Sequence, residues 1–189
     1  MKRIAILASG SGTNAENIIR YFQKSSVAIV VLVLSNKKDA KVIERAKRYD
    51  INSLTFNKRQ FIEEDEVLNI LKKEADFIVL AGFLLKVPEK IIKAFPQKII
   101  NIHPALLPKY GGKGMYGMHV HKAVIENKEV ETGITIHYVN ENYDEGNIIF
   151  QKTVRIEAND TPESISKKVH QLEYENFPKI IETVLLKNE

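Results

Sequence analysis

The chain of 189 residues contains no cysteine, which excludes disulfides, thiolate nucleophiles and cysteine-ligated metals. It also lacks a long apolar run. The stretch Val27 to Leu34 falls well short of the roughly 20 residues a membrane span needs. The N-terminal run breaks at Ser9-Gly10 and is too short for a signal peptide, so it reads as a strand. No dense basic block is present, because the net charge of +4 rests on lysines spread along the chain. That mild basicity suits small anionic substrates, gives little support for a nucleic-acid partner, and is mostly solvated surface. Internal repeats, low-complexity tracts and linkers are missing too. What is present is ordinary: 44% hydrophobic and 28% charged residues, in a length that suits one domain with a real core. The expectation is a soluble cytoplasmic protein with residues 1–189 forming a single domain and no membrane partner.

The first half alternates strand and helix patterns. Arg3 to Ala8, Val27 to Leu34, Ser53 to Phe56, Phe77 to Ala81 and Lys98 to Ile102 read as strands. Asn14 to Lys24, Asp39 to Tyr49, Arg59 to Glu74 and Pro88 to Ala94 read as helices, the first with Ala15, Ile18, Ile19 and Phe22 inward. Val27 to Leu34 is apolar on both faces, as a buried parallel strand should be. After Tyr110, Thr132 to Val139 and Ile148 to Ile156 flank a short polar loop and predict an antiparallel hairpin. The last helix starts at Asp160-Thr161-Pro162-Glu163, an N-cap sequence with proline at the first position. Pro178 should kink or break it. Strand–helix alternation implies right-handed crossovers. The fold class is therefore α/β: a doubly wound, mostly parallel, Rossmann-like sheet with an antiparallel C-terminal hairpin and a closing helix.

Three segments follow strands at their carboxyl ends, where open α/β sheets bind ligands. Gly10-Ser11-Gly12-Thr13-Asn14-Ala15 opens the first helix; its glycines allow close approach, and the helix N-terminus favours a phosphate. It matches the dinucleotide pattern G-x-G-x-x-A, yet the acid such a site needs about 20 residues later is missing. The second strand ends Leu34-Ser35-Asn36-Lys37, with no acid before Asp39. A monophosphate is the better ligand, and a purely structural tight turn is the alternative. Gly82 to Pro88 is an apolar segment that either lines a pocket for a flat heterocycle or packs in the core. In Asn101-Ile102-His103-Pro104 and the residues up to Gly112, Asn101 and His103 project from one face of a strand. An amide donor beside a titratable imidazole is what stabilising an oxyanion requires. The plainer reading of that pair is a turn-starting asparagine and a satisfied loop histidine.

Asp144, in the loop Asn140 to Asn147, is by itself turn chemistry. Folded over the strand ends, its carboxylate would meet His103, favour the imidazolium and raise the histidine pKa. His119 and His121 share no face at a helix start, so no metal site is expected. His137 either faces the site or is structural. His170 and Glu173 share a helix face that is solvated by default.

The Gly10–Asn14 loop, Ala81-Gly82-Phe83, Asn101-Ile102-His103-Pro104, Gly133 to His137, Asp144 with Glu145-Gly146, and Glu173 form one ordered pattern across nearly the whole chain. In this the chain resembles the phosphoribosylglycinamide formyltransferases, folate-dependent enzymes of purine (IMP) biosynthesis. The resemblance implies formyl transfer from 10-formyltetrahydrofolate, a co-substrate, to the glycinamide amine of 5-phosphoribosylglycinamide, with no metal. It implies His103, held cationic by Asp144, as oxyanion stabiliser and proton donor, with Asn101 on the formyl oxygen and Asp144 relaying the proton through water. It places the substrate phosphate on Gly12, Thr13 and Asn14, and Glu173 on the ribose hydroxyls. It places the folate along Leu84, Leu85, Lys86 and Val87 and the loop Val139 to Asp144, with Arg59 and Asn101 as further contacts. Residues 1–100 would then be the phosphate-binding half and 101–189 the catalytic and folate-binding half. The implied partners are two small molecules, with no nucleic acid, and the protein a monomer or homodimer.

Two departures stand out. Leu85 occupies a position where some members carry arginine, which removes the ground for a side-chain contact to the folate there but not for a backbone one. Gly111 to Met118 is longer and richer in glycine than the matching loop of many members, and reads either as a lid or as a passive insertion. A methionyl-tRNA formyltransferase is expected to add a C-terminal nucleic-acid-binding domain and a formyltetrahydrofolate hydrolase an N-terminal regulatory one; neither is expected here. A nicotinamide oxidoreductase is disfavoured by the missing ribose acid. A non-catalytic binding module would not need Asn101, His103 and Asp144 together.

Overall fold

Strand β1 (Lys2–Leu7) sends Ile4 and Ile6 into one core layer and Ala5 and Leu7 into the other. This is the two-residue strand period acting on an unbroken apolar run, and it marks a sheet covered on both faces. The structure, a computed structural model, describes residues 1–187. β2 (Ala28–Ser35), β3 (Asn52–Thr55), β4 (Phe77–Leu80) and β5 (Ile99–His103) join the sheet in parallel pairings. β6 (Glu131–Tyr138) runs antiparallel to β5, and β7 (Ile148–Arg155) antiparallel to β6. The order is β3-β2-β1-β4-β5-β6-β7, so the expected mostly parallel sheet with an antiparallel hairpin is found.

Helices α1 (Thr13–Phe22), α2 (Lys41–Arg48) and α7 (Pro162–Lys187) cover the first face. The expected inward residues of α1, Ala15, Ile18, Ile19 and Phe22, are all buried, and the three large ones, Ile18, Ile19 and Phe22, contribute about 1.5–3 kcal/mol each. Helices α3 (Lys58–Ile62), α4 (Glu66–Glu74) and α5 (Glu89–Ala94) cover the other face through Phe61, Leu71 and Ile91. Helix α6 (Met118–Glu126) sets Val120 and Val124 against Ala105.

Two expectations are corrected. The helix expected over Arg59 to Glu74 is two helices, broken in the acidic run Glu63 to Glu66. In that run the Lys90 ammonium donates to the Glu64 carbonyl at 2.5 Å and meets Asp65 Oδ1 at 2.9 Å. Of the kink or break expected at Pro178, the break is absent, because α7 runs through that position. The residue lacks the N–H that would bond the Tyr174 carbonyl, and Asn17 Nδ2 donates to that carbonyl at 2.9 Å.

The chain leaves β1 for β2 on one side, while β4 lies on the other. Winding reverses at this point and opens a crevice at the carboxyl ends of the strands. The Ser9 N–H donates to the Gly82 carbonyl at 3.0 Å, tying together the loops after β1 and β4.

Candidate active site

The loop after β1 has one tolerated sequence at its apex. Gly12 caps α1 at φ 73°, and a Cβ there would lie 2.5 Å from Val42 side-chain carbons. Both conditions demand glycine. From α2, the Val42 N–H donates to the Gly10 carbonyl at 3.2 Å and the Arg45 guanidinium to the Ser11 carbonyl at 2.8 Å. So held, Gly12, Thr13 and Asn14 line a cavity of about 680 Å³.

Asn14 Nδ2 donates to Glu173 Oε2 at 2.8 Å, and His170 Nδ1 meets the same oxygen at 2.8 Å. The four expected substrate residues Gly12, Thr13, Asn14 and Glu173 thus come together. The default of a solvated His170–Glu173 face is corrected for Glu173 alone, since His170 is exposed. Glu173 is 4% exposed and lines the cavity, because α7 packs on α1 there. The hydrogen bond to Glu173 raises the His170 pKa against the opposing effect of burial.

β5 carries Asn101 and His103 to the same cavity, and the loop after β6 folds back over them. The return depends on Gly146, where a Cβ would sit 1.7 Å from the Tyr138 carbonyl oxygen. Asp144 itself adopts φ 56°, a conformation aspartate accepts more readily than most residues. Its Oδ2 lies 3.6 Å from His103 Nδ1 and accepts from the Gly112 N–H at 3.0 Å. Its Oδ1 lies 3.5 Å from both Asn101 Nδ2 and His137 Nε2. The three catalytic candidates Asn101, His103 and Asp144 therefore converge.

Carbonyl contacts set the imidazole tautomers. His103 Nε2 is 2.7 Å from the Tyr110 carbonyl, which only accepts, so Nε2 bears a hydrogen and Nδ1 faces Asp144. His137 Nδ1 donates to the Tyr138 carbonyl at 2.8 Å, leaving Nε2 to accept from Asn101 Nδ2 at 3.1 Å. One hydrogen of the Asn101 amide is committed to His137, and the other has only the loose 3.5 Å approach to Asp144.

Burial lowers the His103 pKa; Asp144 and the Tyr110 carbonyl push it up without overcoming that effect. Burial also pushes Asp144 up, but the Gly112 N–H and the positive charge that His103 takes on protonation oppose it, and the carboxylate stays below its usual range. The unliganded pair is a neutral imidazole beside an ionised carboxylate. The expected net rise of the His103 pKa is thereby corrected: the contribution of Asp144 has the expected sign, and desolvation is larger.

Sequence reading left His137 open between site and structure, and passed over Thr135, the Tyr110 carbonyl and the Gly112 N–H. In the β5–β6 register, Asn101 faces His137 and His103 faces Thr135. Thr135 Oγ1 donates to the Ala105 carbonyl at 2.7 Å and accepts from the Leu107 N–H at 3.0 Å, pinning the segment after His103. Polar residues at alternate positions of an apolar strand were the available signal. The Tyr110 carbonyl and Gly112 N–H are backbone groups and leave no such trace.

Ala81, Gly82, Phe83 and Leu84 line the cavity, as do Tyr143 and the segment Gly112 to Met118. Leu85, Lys86, Val87 and Arg59 do not. Val87 is buried in the second core layer, Leu85 packs partly buried against it, and Lys86 is exposed. Arg59 lies on the surface, its Nε 3.0 Å from Glu64. Among the described residues no cluster of three or more His, Asp or Glu is arranged to hold a metal ion, and no helix is long and apolar enough to cross a membrane.

Residues 2–181 match the sequence model of the formyl transferases. The chain belongs to the formyl transferase family. Among family members, it is 43% identical over 187 residues to a chloroplastic phosphoribosylglycinamide formyltransferase of Arabidopsis thaliana, covering 95% of this chain and 64% of that protein. It is 36% identical over 191 residues to the phosphoribosylglycinamide formyltransferase of Bacillus subtilis, covering 98% and 95%. The crystal structure of phosphoribosylglycinamide formyltransferase from Bacillus halodurans superposes with a TM-score of 0.88 at 38% identity, covering 100% of this chain and 97% of that one. The chain spans 64% and 61% of the lengths of the Arabidopsis thaliana and Vigna unguiculata relatives.

Proposed function

We propose that this formyl transferase moves the formyl group of 10-formyltetrahydrofolate onto the glycinamide amine of 5-phosphoribosylglycinamide, in de novo purine synthesis. The names of its relatives support that choice of substrates. The observation that carries it is the convergence of Asn101, His103 and Asp144 on the cavity that holds the phosphate loop.

Transfer requires the amine nitrogen to bond the formyl carbon, the carbonyl π pair to move to oxygen, and the carbon–N10 bond then to break with a proton delivered to N10. In this reading Asn101 gives its loosely held N–H to the developing oxyanion, for which only the 3.5 Å approach to Asp144 is surrendered. His103 Nδ1, neutral at rest, accepts the proton lost by the attacking amine, directly or through Asp144 and water, and donates it to N10. Asp144, ionised at rest, stabilises the transient imidazolium. The Tyr110 carbonyl holds the ring so that Nδ1, and not Nε2, carries the moving proton.

The Gly10–Asn14 loop and the start of α1 receive the substrate phosphate, and Glu173 the ribose. Gly82 to Leu84 with Tyr143 form the wall for the pterin; Leu84 and Tyr143 are large apolar side chains left exposed there. Leu85 and Val87, turned into the core, contribute through backbone only. The test is to incubate the protein with both substrates and follow the formyl label. Label should pass to the nucleotide and depend on both partners; no transfer, or folate hydrolysis independent of the nucleotide, removes the proposal.

A further inference from the structure

His121 takes no part in the chemistry above, yet it is 2% exposed and lines the cavity from α6. Its Nδ1 has no hydrogen-bond partner in the protein. Asn14 Oδ1 is a second buried atom without one, because only the amide nitrogen of Asn14 engages Glu173. Glu173 itself receives both of its donors on Oε2. Burying a polar atom unpaired costs about as much as a lost hydrogen bond. His121 and Asn14 line the same cavity as Glu173, whose Oε1 receives neither of these donors, and such a lining suits hydroxyl groups.

Resting on the proposed reaction, we infer that His121 is a substrate-specificity residue that reads the ribose cis-diol of the nucleotide together with Asn14 and Glu173. His121 shares the cavity wall with residues of both parts of the site. His170, Glu173 and His103 all line the same cavity as His121 and act on its charge. Burial, reinforced by His170 and His103 and opposed by Glu173, lowers its pKa to about 4. It therefore meets substrate as a neutral ring with one N–H and one lone pair, a match for a hydroxyl and a poor one for a phosphate. A diol has two O–H groups to donate and oxygens that accept. Asn14 Oδ1 and Glu173 Oε1 take the hydrogens, and His121 completes the set. A sugar lacking one hydroxyl leaves a buried group unpaired, the situation in which sites discriminate most strongly.

Calorimetric titration of wild type and His121→Phe with glycinamide ribonucleotide and its 2′-deoxy and 3′-deoxy counterparts tests this. Phenylalanine keeps the ring and removes both nitrogens. Wild type should bind the ribonucleotide about tenfold or more tighter than at least one deoxy form. His121→Phe should lose about tenfold on the ribonucleotide and much less on that deoxy form, with KM rising more than kcat falls. The unliganded variant should melt no lower than wild type, since the nitrogen removed has no partner. His121→Gln, which restores a polar group, should recover part of the discrimination. Wild-type affinity and wild-type discrimination in His121→Phe would overturn the inference and leave the proposed reaction standing. A wild type that binds no ribonucleotide overturns both, whereas binding without formyl transfer counts against the reaction alone.

Discussion

His103 presents Nδ1 to Asp144 at 3.6 Å while its Nε2 donates to the Tyr110 carbonyl at 2.7 Å. One ring nitrogen is thus fixed by the backbone and the other is left for proton transfer. Because burial holds the His103 pKa below its ordinary value, the acid limb of kcat/KM should lie below about pH 6.5. Asp144→Asn removes an upward push, so the limb of its residual activity should move lower still. A rate that climbs on acidification through pH 6.5 would instead require a cationic His103 at rest.

Asn101 contributes the donor aimed at the developing oxyanion. Asn101→Ala should lower kcat by about 10²–10³ with a small change in the nucleotide KM, as removal of an oxyanion donor does. Steady-state kinetics with each substrate varied in turn checks this.

Gly12 combines a left-handed φ with contact against Val42. Gly12→Ala should destabilise the fold by about 2–3 kcal/mol, seen as a lower urea midpoint, and raise the nucleotide KM about tenfold.

His121 couples stability to pH. Its folded pKa of about 4 lies below the value near 6.5 in the unfolded chain, so the unfolded state takes up the proton first. Stability is then full above pH 6.5 and falls as pH drops toward 4, by on the order of 2–3 kcal/mol. His103 adds loss of the same sign. His170 and Glu173 also face His121, and the raised pKa of His170 works in the opposite direction. His121→Phe should show a shallower acid slope in urea titrations between pH 7 and 4.5.

Sequence periodicity located the elements wherever burial follows a single face or a double-faced apolar run, as in α1 and β1. It failed where the deciding group is distant in the chain. At the break after Ile62 the contacting group is Lys90, and the Tyr174 carbonyl that Pro178 leaves without its helical donor is met by Asn17. The site divides in the same way. Gly12, Asn101 and His103 stand in local patterns whose geometry can be read directly, while the meeting of Asn14 with Glu173 spans 159 positions. Protonation was the least legible property, because the sign of the His103 shift depends on how much water the folded cavity removes.

The most direct test of the His103–Asp144 unit is a double-mutant cycle in kcat for formyl transfer, using His103→Ala, Asp144→Asn and the pair. Each single change should cost about 10²–10⁴, and the double variant no more than the worse single, because both residues serve one proton path. Losses that multiply, or a fully active single variant, would show that the two side chains act separately and that their proximity is not the basis of transfer.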